Sequence, residues 1–299
     1  MNPCRALLFA FALLTGIATN ATPTEGFFLP DSVNEITFRY KNIDNLIVLP
    51  VRINDSEVVS LVLDTGCRNL VLFGKRFRKM LAGTDPRTIT FSGLGRGKPV
   101  TGFITLENDV EFSAVTGKRI AIVVVPERNV FQNNPQIDGV IGYELFLKFE
   151  IEINFGQQLI TFRPAKYSYP DSDFQLVPLR VEDSRPIIPC TIQFSKNESE
   201  ACDLLIDTGS CLGLLYISPA DKNQSPSTKT VVGRGINGEI EGRKGIATKL
   251  RLGNYEIEDV PAAIVASPTR HYASLGTGVL KDYTLLLNYQ KAYAGFKQN

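Results

Sequence analysis

Short apolar runs, each closed by glycine, proline or a polar turn, succeed one another along most of the chain. Such a rhythm predicts strand and turn. Ile47 to Ile53 reads as a strand, Asn54-Asp55-Ser56 as its turn, and Val58 to Leu63 as the return strand. Ile120 to Val125 is a buried strand stopped by Pro126. Ile151-Glu152-Ile153-Asn154-Phe155 alternates, which predicts a strand with one wet face. Thr88 to Ser92 and Pro99 to Leu106 form a hairpin around Gly93-Leu94-Gly95-Arg96-Gly97, with an echo in Val231 to Gly238. Lys75 to Leu81 is the best candidate for a short helix. Repeated short strands with glycine-rich turns point to all-β, barrel-like lobes. Arg163 to Pro178 holds three prolines and no periodicity, so it reads as a connection between lobes. Ala220 to Ser227 reads as a polar loop.

Two of the apolar runs end alike: Leu61-Val62-Leu63-Asp64-Thr65-Gly66 and Leu204-Leu205-Ile206-Asp207-Thr208-Gly209. Each predicts a buried strand that delivers a carboxylate into a tight turn. One Asp-Thr-Gly is an ordinary strand-to-turn junction. The pair carries more weight because its surroundings repeat. Leu70-Val71-Leu72-Phe73 follows the first copy and Leu212-Gly213-Leu214-Leu215-Tyr216 the second. Further on, Gly142 to Phe162 lies over Gly276 to Phe296 without a gap: Asn154 meets Asn288, Phe155 meets Tyr289, and Ile151 and Ile153 meet Leu285 and Leu287. An internal duplication with a small length change explains the pattern.

With these motifs the chain resembles two-lobed aspartic proteases of the pepsin and retropepsin clan. Val140-Ile141-Gly142 and Ser274-Leu275-Gly276 match the apolar-apolar-glycine segment of each lobe in that family. The resemblance runs from about Asn34 to Phe296. It implies two pseudo-symmetric β-barrel-like lobes with a cleft between them: residues 34–165, a linker at 166–178, and residues 179–299. It implies a catalytic dyad of Asp64 and Asp207, with Thr65 and Thr208 interlocked beneath it and Gly66 and Gly209 letting the backbones approach. Two carboxylates about 3 Å apart at an effective dielectric near 20 repel by about 5 kcal/mol, so one proton is shared; such sharing is an established trait of that family. The position after each glycine differs. Ser210 supports Asp207 in the family pattern, whereas Cys67 is a weak donor beside Asp64. Gly93, Leu94 and Gly95 correspond to a flap over bound substrate. The flap lacks the tyrosine of pepsins and the chain has no tryptophan, which leans toward the retropepsin side. The implied activity is cofactor-free hydrolysis of extended polypeptides by a monomer. The alternative is a non-catalytic peptide-binding or inhibitor-type module on the same scaffold.

Bulk properties narrow the rest. Lys and Arg number 32 against 31 Asp and Glu, so no net field draws the protein to nucleic acid or a membrane surface. A single histidine, His271, leaves neither a metal site nor a Ser-His-Asp triad to build. Lys75-Arg76-Phe77-Arg78-Lys79 reads as a solvated basic face. Arg5, the apolar run Ala6 to Leu14 and Thr19-Asn20-Ala21 read as a secretory signal ending at residue 21, with 22–33 as an N-terminal segment. The run is too short to span a bilayer, and Cys4 precedes it, out of place for lipid attachment. The expected location is exported, periplasmic or secreted. Of the remaining cysteines, Cys190 and Cys202 flank a hairpin turning at Lys196 to Glu200; a cross-strand disulfide and free thiols both fit. Asn197-Glu198-Ser199 matches a glycosylation acceptor for a eukaryotic source.

Overall fold

The computed structural model describes residues 25–54, 56, 58–83, 85–127, 130–131, 133–168, 170–195, 198–218, 230–267 and 272–299. The expected signal segment, Asn197, the loop at 220–227 and His271 lie outside the described residues. Described residues form an all-β protein of two lobes.

Each lobe closes six strands into a ring of the same order. In the first, Leu46–Ile53 pairs with Val58–Leu63, then Gly139–Ile141, Leu70–Phe73, Val115–Val125 and Val100–Phe112, which returns to Leu46–Ile53. In the second, Arg185–Ser195 pairs with Glu198–Asp207, then Ala273–Gly276, Leu214–Ser218, Tyr255–Ala266 and Gly238–Leu252, which returns to Arg185–Ser195. Parallel and antiparallel pairings match position for position. Both rings are entered through a two-residue turn with positive φ, at Asp44-Asn45 and at Asp183-Ser184, which suits a tight hairpin between twisted strands.

The motif strand Val58–Leu63 is unbroken in its apolar run because both of its faces are covered. Leu61 and Leu63 enter the main core and Val62 a satellite cluster with Val48, Val71, Val123 and Val140. The main core is continuous through both lobes, and the second lobe has its own satellite of Leu215, Val232, Ile240, Ala263 and Val265.

A six-stranded sheet ties the lobes together, in the order Gln175–Pro178, Tyr293–Gln298, Tyr283–Asn288, Phe149–Asn154, Leu159–Pro164, Ile36–Arg39. At its centre Ile151 pairs with Leu287, Glu152 with Leu286 and Ile153 with Leu285. Glu152 and Leu286 are duplicate counterparts, so the pseudo-twofold axis passes between them. The two halves are thus fused by hydrogen-bonded strands, and the acid motifs inherit that alignment.

Two details differ from the sequence reading. Gly26–Phe28 adds a strand to the first lobe along Lys118 to Thr116. Gln175–Pro178 is an edge strand of the shared sheet, paired with Tyr293–Gln298, although it lies in the stretch read as linker. In Phe149–Asn154 the alternating segment keeps Ile151 and Ile153 buried with Glu152 and Asn154 partly exposed, whereas Glu150, just ahead of it, is buried and takes hydrogen bonds from the Tyr293 hydroxyl and Asn288 Nδ2. A buried carboxylate looks like a solvent-facing one until its partners are known. The short helix is present as a 3-10 helix, Lys75–Leu81, and its basic face is partnered: Arg76 meets Asp138 and Arg78 meets Glu127.

Candidate active site

Each acid motif sits where its strand leaves the ring and turns sharply. Asp64 N–H donates to Ile141 O at 2.8 Å, and Cys67 N–H folds back to Asp64 O at 3.1 Å. The chain after Ile141 passes directly beneath this loop, where Tyr143 N–H donates to Cys67 O at 3.0 Å. The second loop repeats the plan: Ser210 N–H donates to Asp207 O at 3.3 Å and Thr277 N–H to Ser210 O at 2.8 Å. Both crossings depend on glycine. A Cβ on Gly142 would stand 1.9 Å from Asp64 O, and one on Gly276 would stand 2.4 Å from Leu212 O. No side chain fits those gaps, which gives the apolar-apolar-glycine segments their physical reason.

Thr65 and Thr208 join the loops across the lobe boundary. Thr65 Oγ1–H donates to Ile206 O at 2.6 Å and accepts from Thr208 N–H at 3.0 Å. Reciprocally, Thr208 Oγ1–H donates to Leu63 O at 2.7 Å and accepts from Thr65 N–H at 3.1 Å. Both residues are fully buried. Four satisfied bonds in a dry location fix the spacing of the two motifs, because losing any one leaves a buried polar group without a partner.

The carboxylates meet above this interlock. A Cβ on Gly66 would lie 3.1 Å from Asp64 Oδ1 and 3.5 Å from Asp207 Oδ1, so both acids border one small volume. A Cβ on Gly209 would come within 2.3 Å of Asp64 Cγ. Asp64 therefore leans on the bare backbone of the opposite motif. Its Oδ1 accepts from Gly66 N–H at 2.7 Å. Burial, and then the charge of Asp207, push the Asp64 carboxyl up to about 7; the Gly66 N–H and the Arg185 guanidinium pull the other way. Arg185 pairs with Asp183 at 2.5 Å, and Asp183 also meets Arg68 of the first lobe at 3.7 Å. An acid that holds its proton near neutrality beside a second carboxylate can act as proton donor while its neighbour accepts.

The flanking positions diverge. The Cys67 thiol donates to Asn69 O at 2.9 Å, and burial with the nearby Asp64 charge raises its pKa far above the ordinary thiol range. It stays a neutral thiol, unsuited to nucleophilic attack. Ser210 Oγ accepts from Leu212 N–H at 3.3 Å. Cys190 and Cys202 are register partners with Sγ atoms 3.1 Å apart, and both are free thiols. No cluster of three or more His, Cys, Asp or Glu that could hold a metal occurs among the described residues.

Gly93, Leu94 and Gly95 form the tip between Arg87–Phe91 and Val100–Phe112. Asn237, which the sequence reading passed over, packs into that tip from the second lobe. The available signal was a mismatch in the echo, with an amide where the first hairpin has glycine. Tyr289 was also missed: its hydroxyl is buried without a hydrogen-bond partner among the described residues, its ring stacks on Phe146 at 5.3 Å, and burial with the Asp64 charge raises its pKa.

No curated protein matches the chain at a significant level. A family model described as aspartyl protease matches residues 49–145 and 188–279, one stretch in each lobe and each containing one acid motif. The chain therefore belongs to the aspartyl protease family.

Proposed function

We propose that this protein is an exported, monomeric endopeptidase that cleaves internal bonds of extended polypeptides, with Asp64 and Asp207 as its catalytic pair and no cofactor. The reciprocal Thr65–Thr208 interlock carries this reading, because it holds two acids of a duplicated scaffold against one shared volume. In the proposed cycle the ionised acid takes a proton from a water molecule. The water oxygen bonds to the peptide carbonyl carbon while the protonated acid gives its proton to the carbonyl oxygen. The tetrahedral intermediate collapses, the C–N bond breaks, and the departing nitrogen collects the proton taken from water. The diol proton returns to the other carboxylate, restoring one proton to the pair. Gly66, Gly209 and Ser210 act as positioning groups, and Gly93, Leu94 and Gly95 cover the substrate.

The test is digestion of a peptide library by the mature chain, Asp64→Asn and Asp207→Asn, read by mass spectrometry from acid to neutral pH. Internal cleavage by the wild type is expected, with a loss of about a thousandfold or more in each variant. The same spectra report the N-terminus of the protein recovered from cells, expected at Thr22 if residues 1–21 are removed on export. Retained cleavage in either variant removes the pair from the mechanism. Binding without cleavage at every pH would favour the non-catalytic module instead.

A further inference from the structure

The two glycine-rich hairpins meet each other, and they meet unequally. In the first lobe the tip is Gly93-Leu94-Gly95; at the corresponding place in the second lobe stands Gly235-Ile236-Asn237. The Asn237 side chain is buried within the first tip. Its Oδ1 accepts from Gly95 N–H at 2.8 Å, and its Nδ2 faces Gly95 O at 2.7 Å and Gly93 O and Gly97 O at 3.3 Å each. Beside it Arg96 N–H donates to Glu239 O at 3.1 Å, and the Arg96 guanidinium reaches Glu241 at 3.0 Å. A Cβ on Gly95 would stand 2.6 Å from Gly238 O and 2.7 Å from Asn237 Oδ1, and one on Gly93 2.9 Å from Asn237 Oδ1, so the amide reaches the tip only because these two positions are glycine.

The apolar tips cross over as well. Leu94 packs on the satellite cluster of the second lobe and Ile236 on that of the first. Those clusters also receive Leu212 and Cys67, which lie just beyond the two acid motifs. The joined hairpins therefore roof the cleft. The backbone groups that an extended peptide would use to add itself as a strand are, at the first tip, already taken by one side chain.

We propose that Asn237 is a clasp that holds the two hairpins together across the cleft, and that a polypeptide enters only after this amide lets go of Gly93, Gly95 and Gly97. The clasp joins unlike partners, an amide from one half and bare backbone from the other. Two identical subunits related by a twofold axis would present the same residue from both sides, so this arrangement belongs to a chain whose halves have diverged. The incoming peptide offers its own N–H and C=O groups to the tip that Asn237 vacates, which couples opening to occupancy. This inference rests on the proposed peptidase reading for the identity of the occupant.

The test is hydrogen–deuterium exchange on the whole mature protein and on Asn237→Ala and Asn237→Asp, with circular dichroism to check folding. Arg96 N–H is the diagnostic amide, because its partner is the Glu239 carbonyl and not the substituted side chain. Its exchange is expected to quicken at least about tenfold in both variants, since a carboxylate at position 237 would face three carbonyl oxygens. Faster exchange at Gly95 alone, with Arg96 still protected, would show that the hairpins stay shut without the amide and would overturn the clasp. Unchanged exchange at both would do the same. No turnover is needed for this readout, so a failed clasp and a failed peptidase are distinguished. With the library substrate, kcat/KM is expected to change in Asn237→Ala while the pH profile set by the acid pair stays in place.

Discussion

The two lobes agree in the framework that carries the acids and disagree in the residues beside and above them. Ring order, pairing direction, entry turns and the threonine interlock are duplicated. The residue after each Asp-Thr-Gly is not, being Cys67 in one lobe and Ser210 in the other, and neither is the hairpin tip, with Gly95 against Asn237. Proton sharing needs two carboxylates at a fixed spacing, which constrains both copies of the loop together. A roof closed by unlike partners needs the copies to differ. The comparison locates symmetry in the strands and the threonine interlock that carry the acids, and asymmetry in the groups beside and above them.

The carboxylates themselves sit unequally above the interlock, and this gives the largest expected effect. Gly209→Ala would drive a methyl group to within 2.3 Å of Asp64 Cγ, whereas Gly66→Ala would meet its nearest carboxylate oxygen at 3.1 Å. Displacing a reacting group by about 1 Å costs roughly a hundredfold in rate. Gly209→Ala should therefore lose about a hundredfold or more in kcat, and Gly66→Ala nearer tenfold. Parallel kinetics of the two variants check this, and equal losses would mean that Asp64 does not lean across the boundary. The smallest effect is expected at the mismatched support position. The Cys67 thiol spends its hydrogen bond on Asn69 O, and a hydroxyl there finds the same acceptor. Cys67→Ser should leave kcat/KM within about threefold of the wild type. A larger change would mean that position 67 acts on Asp64 directly.

Much of this organisation is legible in the sequence, and the reason is the duplication. Apolar runs ending in Asp-Thr-Gly identify strands covered on both faces, and the later glycines mark crossings too tight for any Cβ. The shared sheet is legible in part: the match of Ile151 and Ile153 to Leu285 and Leu287 announces related strands, but their direct pairing is a long-range event. Polar contacts across the lobes leave no periodic trace. Glu150, one residue ahead of the alternating segment, is enclosed by Tyr293 and Asn288 through contacts that no local pattern announces. Asn237 sits in a turn, where an amide is ordinary, so its partners 142 residues away become visible only in three dimensions.

The central claim is that Asp64 and Asp207 hold one proton between them, and a carboxyl titration tests it most directly. Carbon-13 NMR of labelled aspartate, followed with pH in the wild type and in Asp207→Asn, reads each acid separately. In the wild type the Asp64 carboxyl should keep its proton to about pH 7. The folded chain then binds that proton more tightly than the unfolded chain, whose aspartates titrate near about 3.9. The stability this group contributes is complete below that lower value and is lost as pH rises through about 7. Replacing Asp207 should lower the Asp64 midpoint but leave it above the ordinary carboxylate range, because burial is the larger cause of the shift. An Asp64 that ionises near pH 4 with both acids present, or one whose midpoint ignores the loss of Asp207, would contradict the account.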